Sequence, residues 1–199
     1  MDRRSLRVWI SGLLVLVIWA AFSQCNGPVQ KAGTGAVIIG TQDSLPKDLA
    51  VTDTAYGNAS EKAMIVVLVD GSAVRLGPHS VIRMAKTFNK TDREVRLDGS
   101  AAFTIGQFTG KPFIVHTRNL KITVLDNSRF WVDAFALNAG EEADVTLGKL
   151  LVTKSYHSTT DNEPETLGRG EMVMINRDID LMEKETLKPD ELKAVQEKW

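Results

Sequence analysis

Turn residues recur throughout the middle of this chain, and only short apolar runs lie between them. Val74/Leu76, Val95/Leu97, Phe103/Ile105, Ile122/Val124, Phe130/Val132 and Val145/Leu147 each place two apolar side chains two positions apart, the period at which a strand returns to the same face. Asp70-Gly71, Gly77-Pro78, Asp98-Gly99, Gly110-Lys111-Pro112, Asp126-Asn127, Asn138-Ala139-Gly140 and Gly148-Lys149 separate the runs. No long helical pattern intervenes, which disfavours a parallel sheet built from strand–helix–strand units. The pattern predicts an all-β fold, a sandwich- or solenoid-like stack of short strands.

Three local readings follow. Asp70-Gly71 tolerates positive φ and predicts a two-residue hairpin turn between the strands that flank it. Ala63–Val69 is continuously apolar, as expected of a strand buried on both faces. Residues 181–199 close the chain with a short helix: Lys184–Trp199 is rich in helix formers, and Pro189, Asp190 and Glu191 suit a first turn. Leu192, Val195 and Trp199 fall on one face of it, ready to dock on the β domain.

The N-terminus reads as an address. Arg3, Arg4 and Arg7 precede an apolar run, Val8–Phe22, shorter than the roughly 20 residues a full span usually takes. Residues 1–26 are therefore a signal peptide or membrane anchor, with positive charge holding Met1–Arg7 in the cytoplasm and everything beyond Asn26 outside it. Cys25 directly follows the apolar core and resembles the lipid-attachment cysteine of bacterial lipoproteins, although Gln24 stands where such signals carry a small residue. A lipoprotein and an uncleaved anchor both tether the remainder; a cleaved periplasmic form is the third reading. Gly27–Gly35, rich in Gly and polar residues, suits the tether.

Composition narrows the chemistry. A formal net charge of −1 leaves no basic excess for a phosphate backbone, so nucleic acid is not an expected partner. The single cysteine excludes an intrachain disulfide and a cysteine-rich zinc site. His79, His116 and His157 are scattered without metal-ligand spacing, and Gly33-Thr34-Gly35 has no helix after it to make a phosphate loop. Asp126, Asp133, Glu141 and Glu142 flank turns, where acids commonly cap backbone groups; only a cleft with two of them close together would support hydrolysis. No catalytic residue, cofactor or metal is expected. His157–Pro164 reads as an exposed hairpin loop, available for contact.

Set in order, the runs from Val67 to Glu171 resemble the FecR domain, the extracytoplasmic sensor module of bacterial regulators that control uptake genes. Leu68-Val69-Asp70-Gly71-Ser72-Ala73-Val74-Arg75-Leu76, with Ser80-Val81-Ile82 after it, stands where the family has Leu-Pro-Asp-Gly-Ser-x-Val-x-Leu. Phe88 and Arg93–Ile105 follow Arg-x-Val-x-Leu-x-Gly-Glu-Ala-x-Phe-x-Val, with Ser100 in place of the Glu. Lys111–Thr117 matches a Pro-Phe-x-Val-x-Thr strand. Val124-Leu125 with Phe130–Val132, and Asp144–Leu150 leading to Gly170-Glu171, complete the order. Leu125-Asp126-Asn127 departs from the family's Leu-Gly-Thr and leaves about one extra residue before Val132, placing a bulge there.

The resemblance implies a β domain over residues 36–180 that works by protein contact. In family members a cytoplasmic helical domain holds a sigma factor, and a module beyond the β domain docks on an outer-membrane transporter. Met1–Arg7 is too short for the first and the sequence stops at Trp199 before the second, so direct sigma-factor binding is not carried over. The expected role is a membrane-tethered, periplasm-facing domain in envelope signalling or assembly. Its partner would be an envelope protein, either an outer-membrane transporter or a membrane regulator. The alternative is a glycan-binding lipoprotein, for which Trp131 and Tyr156 are the mid-chain aromatic candidates.

Overall fold

The computed structural model describes residues 36–39, 53–90, 92–106 and 110–199. The N-terminal address, Cys25 and the Gly27–Gly35 tether lie outside the described residues. Within them the chain is all-β with one short helix. The strands are β1 (Ala36–Ile39), β2 (Asp53–Asn58), β3 (Met64–Leu68), β4 (Ala73–Leu76), β5 (Ser80–Ala85), β6 (Arg93–Ile105) and β7 (Phe113–His116). There follow β8 (Leu120–Val124), β9 (Ser128–Ala134), β10 (Gly140–Leu147), β11 (Leu150–Lys154), β12 (Glu165–Leu167), β13 (Glu171–Asn176), β14 (Leu181–Thr186) and α1 (Pro189–Gln196).

These strands form two layers that share β6. Its second half pairs with β4 and β9 in a layer ordered β1-β3-β4-β6-β9-β10-β13-β14. Its first half pairs with β5 and β7 in the other, ordered β2-β5-β6-β7-β8-β11-β12. The fold is therefore a sandwich, nearly closed along this strand. All these pairings are antiparallel except β6 with β7, where the chain uses the rest of β6 and the loop after it to return and run alongside its own start.

The strand turns from one layer to the other at Gly99. Its φ is +108°, and a Cβ there would sit 2.7 Å from the Ser80 Cα, so only glycine fits both the conformation and the contact. Ser80 Oγ accepts from the Ser100 N–H at 2.8 Å, and the Gly77 N–H donates to Ser100 O at 2.8 Å. The Gly77–Ser80 corner is thus fastened onto the bend.

One core fills the space between the layers. Phe103 stacks on Phe130 at 4.9 Å within its layer and meets Phe113 of the other edge-on at 6.3 Å; Phe113 also meets Phe88. Val66, Leu76, Ile82, Val115, Ile122, Val145, Leu150 and Val173 close around them. Burying each such side chain contributes about 1.5–3 kcal/mol, enough in sum to dominate the fold.

Four local expectations change. The turn at Asp70-Gly71 is a three-residue loop: Leu68 O accepts from Gly71 N at 3.0 Å, Leu68 N donates to Ser72 O at 2.8 Å, and Gly71 takes φ +82°, the arrangement of a turn closed by a left-handed glycine. The run Ala63–Val69 is buried on one face only; Met64, Val66 and Leu68 face the core while Ile65 is 47% exposed, because the other layer covers one face of β3 and alternation wins over composition.

Val145 faces the core but Leu147 does not, being 48% exposed. The register of β10 against β9 slips between these two residues, so the bulge sits in β10 rather than before Val132, and it turns Leu147 outward. Finally, 181–186 is the strand β14, and the helix starts only at Pro189. Glu191 Oε2 accepts from the Lys188 N–H at 2.8 Å to close its first turn. Val195 is buried and Leu192 and Trp199 are half-buried, and the helix packs on β10.

Candidate functional site

Motif residues come together first as framework. Asp70, on the β3–β4 turn, and Arg93, at the start of β6, form a fully buried ion pair: Arg93 Nη2 lies 2.7 Å from Asp70 Oδ2 and Nε donates to the same oxygen at 2.9 Å. Arg93 Nη1 also donates to Lys111 O at 3.1 Å, and its guanidinium covers the Phe113 ring at 5.5 Å. Asp70 further accepts from Ser72 N and Oγ. The Asp-Gly-Ser block, the Arg of the second block and the Phe of the third therefore build one joint between the layers.

A second joint ties the layers at the opposite end. Glu141 of β10 is buried and accepts from Thr117 Oγ1 at 2.5 Å and the Asn119 N–H at 3.1 Å, with Arg118 Nε at 3.7 Å. Burial pushes its carboxyl up, while these bonds and Arg118 pull it down. Arg118 in turn donates to the carbonyls of Ala136 and Asn138.

Beside this joint the sandwich presents a mixed apolar and cationic surface. Arg118, Leu137, Asn138, Arg177 and Asp178 line a shallow hollow of about 310 Å³. Leu137 is 100% exposed and Ile179, on the β13–β14 turn, 65%. Two unsupported aliphatic side chains at loop tips, next to two guanidiniums, form a surface suited to protein contact rather than to enclosing a small molecule.

The His157–Pro164 loop flanks the same end as a β11–β12 hairpin, but it is pinned. Asp180, at φ +53°, accepts from Ser158 Oγ, the Thr159 N–H and Thr159 Oγ1, each at 2.9 Å, and from Lys154 Nζ at 3.3 Å. These donors hold its carboxyl well below the usual carboxylate range. Ser158 and Thr159 belong to the loop and Lys154 to the strand before it, but the acceptor comes from a distant turn, which sequence spacing gives no means of seeing.

The outer face of the first layer holds the remaining acids. Register sets Trp131 of β9 opposite Asp144 of β10, which faces Met172 of β13; one row along, Asp133 faces Glu142. The α1 segment covers Asp144, and Lys198 Nζ sits 4.4 Å above the Trp131 ring. Tyr156 is likewise occupied: Arg177 covers its ring at 4.9 Å and its hydroxyl donates to Asp180. Both aromatic candidates for glycan stacking thus carry a cation from their own chain.

The structure separates the other chemistry-bearing residues. Asp126 caps the β8–β9 turn, accepting from the Lys149 N–H at 2.7 Å and Ser128 Oγ at 3.0 Å. Glu141 and Glu142 point to opposite faces of β10, and the acids that do assemble, Asp133, Glu142 and Asp144, share the outer face of the first layer, where Lys198 reaches Asp144. His79 pairs with Glu61 and His116 with Glu94, each at 3.0 Å. Among the described residues no three His, Cys, Asp or Glu side chains are grouped to hold a metal, and no helix is long and apolar enough to cross a membrane.

Known proteins agree with this architecture. The family described as FecR protein matches residues 54–149, from β2 to the turn between β10 and β11, and so includes both halves of the Asp70–Arg93 joint. Two crystal structures of a candidate anti-sigma factor from Parabacteroides distasonis ATCC 8503 are similar in fold, each with a TM-score of 0.62 at 26% identity over 71% of this chain. The chain spans 63% of the length of those structures. No curated protein matches it. With the family's blocks found in order and folded into one shared-strand sandwich, the chain is a FecR-domain protein, its domain spanning residues 54–149.

Proposed function

We propose that this protein is a membrane-tethered, extracytoplasmic FecR-type module that takes part in envelope signalling by protein contact. The observation that carries the reading is the FecR match over residues 54–149 together with a fold like that of a candidate anti-sigma factor. In this reading residues 1–26 address the chain to the membrane, 27–35 form the tether and the β domain begins at 36. Cys25 is the lipid-attachment residue if the segment is processed as a lipoprotein signal. The domain performs no chemistry; its partner is an envelope protein, a membrane regulator or an outer-membrane transporter.

The surface assigned to that contact is the sandwich end carrying Leu137, Ile179, Arg118 and Arg177, because it combines exposed aliphatic side chains with cationic ones. Photo-crosslinking in cells from position 137 or 179 tests this. A crosslink to a membrane regulator or transporter supports it, and a crosslinked envelope that yields no protein partner from either position overturns it. Mass spectrometry of the mature N-terminus separates an acylated Cys25 from an intact anchor beginning at Met1.

A further inference from the structure

We propose that the C-terminal segment is a proton-controlled latch: α1 and Lys198 close over Asp144 while its carboxyl carries a proton, and the closure loosens when it is ionised. The inference is independent of the signalling role.

Asp144 is wholly buried, yet neither of its carboxylate oxygens has a hydrogen-bond partner. Lys198 Nζ, the cation nearest in reach, stands 3.8 Å from Oδ2, beyond the distance of a charge-assisted hydrogen bond. Lys198 is also partly exposed and engaged over Trp131, so its attraction is screened by solvent. A buried carboxylate left in this state is costly.

A proton removes the difficulty. Glu142, on the same face of β10, is within hydrogen-bond reach, so Asp144 can donate to it once protonated. The rows that surround them add acids and no cation: Asp133 comes from β9, β6 contributes Ala102 and Ser100, β13 contributes Met172 and Met174, and Glu185 and Glu183 of β14 lie opposite those two methionines. Lys198 is the basic group acting on Asp144. Burial, then the charge of Glu142, push Asp144 up to about 7, with Lys198 pulling the other way. Asp133 is raised as well, again chiefly by burial.

The direction follows from linkage. Opening α1 returns Asp144 to water and toward its ordinary 3.8, so the closed form binds the extra proton. Closure is fully favoured below about pH 4, weakens as pH rises to about 7, and changes little above that; within the window the closing equilibrium shifts by up to about tenfold per pH unit. Release lifts Lys198 from the Trp131 ring.

Hydrogen exchange of residues 189–199, measured by mass spectrometry on the full chain in detergent micelles and corrected for intrinsic exchange, tests the latch. Between about pH 5 and pH 8 the opening of α1 is expected to increase at least tenfold, and Asp144→Asn to abolish that increase by keeping the helix closed throughout. Glu142→Gln, which removes the repulsion and leaves Asp144 intact, is expected to reduce it. Lys198→Met is expected to loosen α1 at the higher pH and not at the lower. Equal opening at both pH values, or an undiminished pH response in both acid variants, overturns the proposal.

Discussion

Arg93 grips Asp70 from 23 positions away, with two guanidinium nitrogens on one carboxylate oxygen and both side chains shut off from solvent. The pair joins the β3–β4 turn to the strand that both layers share. A buried pair of this kind is weak evidence of net stabilisation, since desolvation offsets much of its attraction, but breaking it leaves a charge stranded.

Replacing Arg93 by Met is therefore expected to destabilise the protein by about 3–5 kcal/mol, and Asp70→Asn by a similar order. The double variant should cost less than the sum of the two. Urea unfolding of all four proteins measures the coupling, and simple additivity would contradict the joint as described.

Gly99 and Gly71 both have positive φ, but only Gly99 is crowded, with Ser80 backbone 2.7 Å from where a Cβ would stand; Gly71 has open space. Gly71→Ala is expected to cost about 1–2 kcal/mol from conformation alone. Gly99→Ala should cost distinctly more, because Ser80 must also move and release the Ser100 N–H. Thermal melts of the two variants compare them directly.

Asp180 should behave as an acid-resistant clip on the His157–Pro164 loop. Since its carboxyl is held below the ordinary range, the stabilising contacts are present above about pH 4 and are lost only as pH falls through the lowered value. Limited proteolysis at neutral pH should find the loop protected in the native protein and cut readily in Asp180→Ala. Equal cleavage would mean the donors hold the loop without it.

The β10 bulge makes opposite predictions for two residues that a strict alternation treats alike. Leu147→Ser is expected to change stability by no more than about 0.5 kcal/mol, as at other exposed sites. Val145→Ala, which opens space in the core, should cost about 2 kcal/mol. Denaturant midpoints at constant slope decide it.

Those two positions also mark where sequence reading stops. The pairs Val74/Leu76, Val95/Leu97, Phe103/Ile105, Ile122/Val124 and Phe130/Val132 are all buried, because alternation is a property of one strand and its own neighbours. A bulge depends on the partner strand, and the exposure of Ile65 depends on which face of β3 the other layer covers. β14 eludes the pattern for a related reason: its residues are mostly exposed on both faces, so no apolar period marks it and the helix formers around it dominate.

The sites divide in the same way. Asp70 and Arg93 both belong to FecR-like blocks, so their presence was legible, but nothing in either block says that they meet. The cluster of Asp133, Glu142 and Asp144 arises from the register of β10 against β9, a long-range pairing invisible to local spacing. Asp180 lies outside every block, and its partners are small polar residues of the kind that fill any loop.

Because β6 belongs to both layers, the sandwich has no seam along which to come apart. Losing its pairings with β4 and β9 removes the second half of the same backbone whose first half anchors β5 and β7. The two layers are therefore expected to melt as one unit, in a single cooperative transition.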